Sequence, residues 1–137
     1  MGRYAADLAA TFDNIDLLTI SDLYEKDAKE FAASLGSHVD GLGVDVNDIE
    51  RLNNILPEYD VVLNTVGPFF KFGYQILKSA LKSNCHYMDI CDDWEPTEEM
   101  LKLDGIAKEK NLLAIIGLGA SPGITNLLGS IAIDQLD

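Results

Sequence analysis

The fold prediction for this chain starts from one stretch, Asp60-Val61-Val62-Leu63-Asn64-Thr65-Val66-Gly67-Pro68. Its apolar run has no polar alternation, which is typical of a strand in a parallel sheet with helices on both faces. Ligands of such sheets bind beyond the carboxyl ends of the strands. Asn64 and Thr65 would bring an amide and a hydroxyl group to that edge, where Gly67-Pro68 would turn the chain. The alternative is an ordinary strand that ends in a turn.

Strands and helices alternate on both sides of this stretch. Further strands are predicted over residues 16–21, 42–46, 86–90 and 112–116, and helices over residues 2–12, 25–35, 47–56, 73–83, 97–110 and from 121 toward 135. The expected helix boundaries are a left-handed C-cap at Gly36, caps at Asn47 and Thr97, and a start at Ser121-Pro122. The alternation predicts an α/β fold with a doubly wound parallel sheet.

The composition disfavours several classes of partner. Ten basic and twenty-three acidic residues give a net charge of −13, with no basic patch, so neither nucleic acid nor an anionic membrane is expected to bind. No apolar run is long enough to span a bilayer. Cys85 and Cys91 are too few for a disulfide framework, which fits a reducing compartment. We therefore expect a cytoplasmic protein of one domain.

The start of the chain resembles the middle of a dinucleotide-binding unit. Gly2 occupies the place of the third glycine in Gly-x-Gly-x-x-Gly, and Asp22 follows about 20 residues later, where an acid binds the ribose. The alternative for Asp22 is a turn-forming aspartate. We expect the unit's first strand to precede Met1, so that residues 1–137 form a dinucleotide-binding domain truncated at both ends. Without that strand, the strands at Leu17 and Val62 share no neighbour.

Three motifs resemble the NAD(P)-binding domain of the saccharopine dehydrogenase family. They are residues 60–68, His86-Tyr87-Met88-Asp89, and Gly-Leu-Gly-Ala-Ser-Pro-Gly-Ile-Thr-Asn over residues 117–126. Gly-Pro-Phe-Phe-Lys-Phe-Gly over residues 67–73 also resembles saccharopine-dehydrogenase-like oxidoreductases. The resemblance covers nearly the whole chain. It implies an NAD(P)-dependent oxidoreductase that acts on a secondary amine or imine derived from an amino acid or a polyamine, with a substrate domain beyond this chain.

The resemblance also implies which residues bind the dinucleotide. Gly2 and Arg3 would lie at the pyrophosphate, Asp22 and Leu23 at the adenosine ribose, and Asp45 and Val46 at the adenine. The residues along the length of the dinucleotide would be Asn64, Thr65, Val66, Gly67 and Pro68. Those toward the nicotinamide would be Asp89, Ile90, Cys91, Gly119, Ser121, Pro122 and Gly123. Some family members carry an acid immediately before the Pro-Gly, where this chain has Ser121. The catalytic residues are therefore unknown.

The residues near Asp22 favour NAD over NADP. The Asp22 carboxylate would repel a 2′-phosphate, and Leu23 supplies no guanidinium group to bind one. Lys26 lies close enough in sequence to weaken this preference.

The loop after His86 offers other candidate chemistry that we set aside. Asp89, Cys91, Asp92 and Asp93 are potential metal ligands near His86. Strand alternation places Asp89 and Cys91 on the face opposite His86 and Asp92, so no metal site is predicted and a solvated acidic loop is preferred. Cys91 has no histidine beside it, and acidic neighbours raise a thiol pKa. Trp94 is a cover over the site, a domain-contact residue or a partly buried loop anchor.

Two function classes remain. The first is the cofactor-binding half of an oxidoreductase, inactive by itself, and the second is a non-enzymatic module that senses a nucleotide. A flavodoxin-like regulator is disfavoured because Asn64 stands where an acid would be required. Exposed sheet edges further predict a homodimer.

Overall fold

The computed structural model describes residues 1–136 and divides the chain into two compact units, Met1–Arg51 and Leu52–Asp137. Each unit contains parallel strands with helices between them. The first holds a two-stranded sheet and the second a three-stranded sheet. The predicted α/β class and parallel strand pairing are confirmed.

The first unit contains a helix, a strand, a helix and a strand. They are α1 Gly2–Ala9, β1 Leu18–Asp22, α2 Glu25–Leu35 and β2 Val39–Gly43, and α3 Ile49–Ile55 crosses into the second unit. β1 and β2 pair in parallel from Leu18↔Val39 to Asp22↔Gly43.

Helix α2 lies directly against β2 at Gly41. A Cβ atom at this position would come within 2.4 Å of the Lys29 Cα. Because no side chain fits between the helix and the strand, glycine is required there.

Several predicted boundaries in the first unit are wrong. β2 spans Val39–Gly43 rather than residues 42–46, because buried Val39 is the position that pairs with β1. Helix α1 ends at Ala9, short of residue 12. Gly36 has a positive φ of 138° but ψ of 171°, so it is extended and does not adopt the left-handed helical conformation. The Asp48 carboxylate caps α3 by accepting from the Arg51 amide at 2.9 Å, in place of Asn47.

The second unit has strand order β3-β4-β5, all parallel. Its elements after α3 are a 3₁₀ turn Leu56–Glu58, β3 Val61–Asn64, α4 Phe69–Lys82, β4 His86–Asp89, α5 Trp94–Leu101, α6 Asp104–Glu109, β5 Ala114–Ile115 and α7 Ile124–Ile133.

Helix α4 supplies much of the core of this unit. Its inner face contains four buried residues, which are Ile76, Leu77, Ala80 and Leu81. The helix begins at Phe69 rather than at residue 73. Phe69 is itself buried, so the first turn of α4 also packs into the core.

Two other helix predictions in the second unit are wrong. Residues 97–110 form two helices, and Thr97 lies inside α5, where its hydroxyl donates to the Asp93 carbonyl at 2.7 Å. Pro96 falls in the first turn of α5, where proline costs no hydrogen bond. Helix α7 starts after Gly123 rather than at Ser121-Pro122.

The two faces of β3 differ in burial. Asn64 is buried and Val62 half-buried, whereas Val61 is 45% exposed and Leu63 is 48% exposed. The second face of β3 is therefore only partly covered.

Candidate functional site

In the first unit, the predicted acids meet at the carboxyl ends of β1 and β2. Asp22 is exposed at the end of β1, where its Oδ1 accepts from the Tyr24 amide at 3.0 Å. Its carbonyl accepts from the Val44 amide at 2.8 Å, which brings the segment after β2 alongside. Asp45 is exposed beyond that point and accepts from the Asn47 amide at 2.9 Å. Asp22 and Asp45 thus share one edge of the sheet, as predicted for parallel strands.

Gly2 and Arg3 lie in the first turn of α1 in the same unit. The Arg3 guanidinium lies over the Phe31 ring, 4.9 Å from its centroid. This cation–π contact engages Arg3 with α2.

In the second unit, the loop after β3 leads straight into a helix. Gly67 and Pro68 are exposed, and α4 begins at Phe69. The N-cap residue, Pro68, makes no side-chain capping hydrogen bond. The positive end of the α4 macrodipole therefore adjoins the loop, which favours a negatively charged group there.

Three buried side chains form a hydrogen-bonded chain across β3 and β4. The Asn64 Nδ2 donates to the Tyr87 hydroxyl at 2.9 Å, and that hydroxyl donates to the Asp89 Oδ2 at 2.8 Å. Asn64 is 2% exposed, while Tyr87 and Asp89 are fully buried. Strand register places Asn64 opposite Asp89, and Tyr87 lies two residues before Asp89 on the same face. We refer to Asn64, Tyr87 and Asp89 as the buried triad.

The ends of the buried triad hold the backbone of three loops. Asn64 Oδ1 accepts from the Val66 amide at 2.9 Å, after β3. Asp89 Oδ1 accepts from the Cys91 amide at 3.0 Å, after β4, and from the Gly117 amide at 2.8 Å, after β5. These loops are the ones predicted to bind a ligand.

Burial keeps two groups in this region in their neutral forms. It raises the pKa of Tyr87, and the charge of Asp89 raises it further. Burial likewise raises the pKa of the Cys91 thiol, against the lowering effect of its contacts with Thr97 and the Asp93 carbonyl. The Cys91 thiol is thus buried and favoured in its neutral form.

The loop after β5 is shaped by glycine. Gly123 has φ of 109°, and a Cβ there would lie 2.2 Å from the Gly119 carbonyl oxygen. The Ile124 amide donates to that carbonyl at 3.0 Å, which closes the turn before α7. Ser121 is exposed on this loop.

The predicted site residues fall into three groups by exposure. The exposed residues are Arg3, Asp22, Leu23, Asp45, Gly67, Pro68 and Ser121. The half-buried residues are Gly2, Val46, Thr65, Val66, Ile90, Gly119, Pro122 and Gly123. The buried residues are Asn64, Asp89 and Cys91.

The side chains of Asn64 and Asp89 therefore do not present polar groups at the sheet edge. Both side chains instead form hydrogen bonds with the hydroxyl group of Tyr87. The i, i+2 spacing of Tyr87 and Asp89 on one strand was the available signal for this arrangement.

Three further observations concern metal ligands, Trp94 and membrane-spanning helices. Among residues 1–136, no cluster of His, Cys, Asp and Glu could hold a metal ion. Trp94 is 70% exposed, so the alternative of a partly buried loop anchor is wrong. In the same part of the chain, the helices are all too short or too polar to cross a membrane.

Comparison with known proteins points to one family. The family model described as "Saccharopine dehydrogenase NADP binding domain" matches residues 1–115. The fold resembles that of apo saccharopine dehydrogenase (L-Glu forming) from Saccharomyces cerevisiae, with a TM-score of 0.82 and 22% identity over 98% of this chain. An NAD binding oxidoreductase from Klebsiella pneumoniae matches with a TM-score of 0.53 and 19% identity over 84% of this chain. This chain spans only 28% and 29% of the lengths of those two proteins.

Proposed function

Because this chain belongs to the family of saccharopine dehydrogenase NADP-binding domains, we propose that it binds a nicotinamide dinucleotide at the carboxyl ends of its parallel strands. The observation that carries this proposal is the buried triad, which fixes the backbone of three loops at the edge where α/β sheets bind ligands.

The residues at these edges fit the parts of a dinucleotide. Asp22 is exposed and could accept from ribose hydroxyls, while Gly67 and Pro68 leave backbone accessible beside the N-terminus of α4. Gly119, Ala120, Ser121 and Gly123 of the last loop are small residues. Asn64 and Asp89 support the site through the backbone that they hold rather than through direct side-chain contact.

We propose further that the chain is the cofactor-binding part of a longer oxidoreductase. The substrate would be a secondary amine or imine derived from an amino acid or a polyamine, and the bound dinucleotide would supply or accept the hydride. The residues described here would orient the cofactor, since hydride transfer depends mainly on positioning. The 137-residue chain alone is expected to be inactive.

Within this proposal, NAD is preferred over NADP. The family description names NADP, but in this chain the Asp22 carboxylate is exposed at the end of β1 and Leu23 beside it is 59% exposed. A carboxylate at this position accepts from the 2′-hydroxyl and repels a 2′-phosphate.

Nucleotide titration tests these proposals. NADH and then NADPH would be added to this chain and to one extended upstream by about 30 residues, enough for a strand and its glycine turn, with Trp94 fluorescence as the readout. We expect the extended chain to bind both and to prefer NADH. Binding of neither nucleotide by either chain would contradict the proposed function.

An Asp22→Asn variant tests whether the Asp22 carboxylate causes the preference for NADH over NADPH. We expect it to bind NADPH more tightly than the parent chain does, because the repelling charge is gone. Asp40→Asn is the matched control, since Asp40 is an exposed aspartate within β2, before its carboxyl end. An unchanged ratio of the two dissociation constants in Asp22→Asn would refute the assignment of Asp22.

We also propose a homodimer, formed through α7. None of residues 124–133 is buried, although Ile124, Leu127, Leu128, Ile131 and Ile133 are large apolar side chains. This helix carries no charged residue in a chain of net charge −13, so two copies could meet there without charge repulsion.

A reducing, cytoplasmic setting completes the proposal. Cys85 and Cys91 are both free and buried, and Cys85 Sγ donates to the Leu56 carbonyl at 3.0 Å. Thiol reagents should therefore label both cysteines only after unfolding. Fast labelling of the native protein would count against this part of the proposal.

A further inference from the structure

We propose that Tyr87 and Asp89 are positioning residues that prepare three loops at once for the dinucleotide, an inference that rests on the proposed function. In this view the buried triad is more than a structural feature of the core. It sets the geometry of the ligand-binding backbone before the ligand arrives.

One carboxylate oxygen is an acceptor for two loops. A single oxygen, Asp89 Oδ1, accepts from the Cys91 amide at 3.0 Å and from the Gly117 amide at 2.8 Å. These amides belong to loops that follow different strands. The Asp89 carbonyl also accepts from the Leu118 amide at 2.7 Å. The loops after β4 and β5 therefore keep one relative position as long as Asp89 keeps its orientation.

Tyr87 extends this coupling to the loop after β3. Its hydroxyl links Asp89 Oδ2 to Asn64 Nδ2, and Asn64 Oδ1 accepts from the Val66 amide. A phenylalanine would fill nearly the same space, but it would remove the Asn64 amide's acceptor and the Asp89 carboxylate's donor. The hydroxyl group is thus required for coupling, whereas the ring is sufficient for packing.

Burial makes the coupling cooperative. All three side chains are at most 2% exposed, so water cannot readily replace a lost partner. Buried networks of this kind respond to deletions non-additively, because each bond orients the next group. We therefore expect the loss of any one member to loosen all three loops.

Loose loops weaken binding, since they must be ordered when the ligand binds. We expect Tyr87→Phe to bind NADH and NADPH about tenfold more weakly, while remaining folded. Amide hydrogen exchange should quicken together at Val66, Cys91 and Gly117. Tyr74→Phe is the matched control, because Tyr74 is 39% exposed on α4 and its hydroxyl is outside the buried triad.

Two replacements of Asp89 separate positioning from simple packing. Asp89→Asn retains an oxygen that can accept from both loop amides, and Asp89→Ala does not. We expect the asparagine variant to bind more tightly than the alanine variant when both are compared at equal fractions folded. Equal affinities in the two variants would overturn the proposal.

Both experiments use the shortest chain that binds a nucleotide. If no wild-type chain binds, the proposed function fails, while exchange at the three amides still tests the coupling. If Tyr87→Phe does not fold, the wild-type protein decides, since exchange of the Cys91 and Gly117 amides at the rate of exposed loops would overturn the inference. Unchanged affinity and exchange in a folded Tyr87→Phe chain would overturn it as well.

Discussion

The ammonium group of Lys110 closes the carboxyl end of α4. Its Nζ donates to the Leu81 carbonyl at 2.8 Å, the Lys82 carbonyl at 3.1 Å and the Asn84 Oδ1 at 2.9 Å. A cation at a helix C-terminus satisfies carbonyls that lack helical partners and complements the macrodipole. Lys110 therefore stabilises the end of the central helix from a position far along the chain.

We expect Lys110→Met to lower the free energy of unfolding by about 1–2 kcal/mol, because these hydrogen bonds to a charged donor are lost. Lys108→Met is the control. Lys108 pairs only with exposed Asp104 among the described ion pairs, at 2.6 Å, and such pairs contribute about 0.3–0.5 kcal/mol. Urea unfolding of both variants measures the difference. Equal losses would show that Lys110 does not cap α4.

Tyr87 makes stability depend on alkaline pH. Burial first, and then the charge of Asp89, raises its pKa above the ordinary value of 10.0. The neutral phenol is therefore favoured in the folded state. The contribution of Tyr87 to the free energy of unfolding is fully present below the ordinary tyrosine pKa and is lost as the pH rises above that pKa. We expect the Tyr87 phenolate absorbance to appear only when the protein unfolds. Tyr87→Phe should lose that late component, and an early, fully reversible titration of all tyrosines would refute this.

At the scale of elements, the contact between α2 and β2 depends on Gly41. A Cβ there would meet the Lys29 Cα at 2.4 Å and the Lys29 amide nitrogen at 2.5 Å. Both are backbone atoms, so no side-chain rotation relieves the overlap, and the helix itself must move away from the strand.

Gly41→Ala should accordingly lower the free energy of unfolding of the first unit by about 3 kcal/mol. Gly105→Ala is the control, because its Cβ would meet nothing within 4 Å and α6 would gain a better helix former. Thermal unfolding followed by circular dichroism distinguishes the two. A Gly41→Ala chain as stable as the Gly105→Ala chain would contradict the packing of α2.

The elements were predictable where the signal is local. The bounds of α2 and the inner face of α4 follow from apolar residues at helical spacing, and both agree with the structure. β2 was misplaced because Val39-Asp40-Gly41-Leu42-Gly43 contains two glycines and only two apolar β formers. Its strand conformation is imposed by pairing with β1, and this pairing cannot be predicted from a short segment of sequence.

The candidate site also has features that could be predicted from the sequence and features that could not. That polar residues gather at the strand ends follows from strand order and could be predicted. The inward orientation of Asn64 and Asp89 could not be predicted from the sequence. Their shared partner is the Tyr87 hydroxyl, which lies between them only after β3 and β4 pair. Tertiary pairing thus decides whether a polar residue faces a ligand or supports the loop that does.

For the molecule as a whole, the proposed homodimer rests on the exposed apolar side chains of α7. Leu127 is 67% exposed, and Ile133 is 71% exposed. We expect light scattering to report a species of twice the 15.0 kDa monomer mass. Leu127→Glu should convert it to monomer, because a charge would be buried in the interface.

Leu101→Glu provides the control, since Leu101 is 59% exposed on α5 and away from α7 in sequence. The same substitution there should leave the dimer intact. A stable wild-type monomer, or equal effects of the two variants, would refute a dimer formed through α7.

The direction of the hydrogen bonds in the buried triad decides how it handles protons. Asn64 can only donate to Tyr87, because its oxygen already accepts from the Val66 amide. Tyr87 must then turn its proton toward Asp89, whose other oxygen meets two backbone amides that do not release theirs. A proton cannot enter one end of this chain and leave at the other. The triad is therefore not a proton wire, and any acid or base that accompanied the proposed hydride transfer would be supplied by other groups.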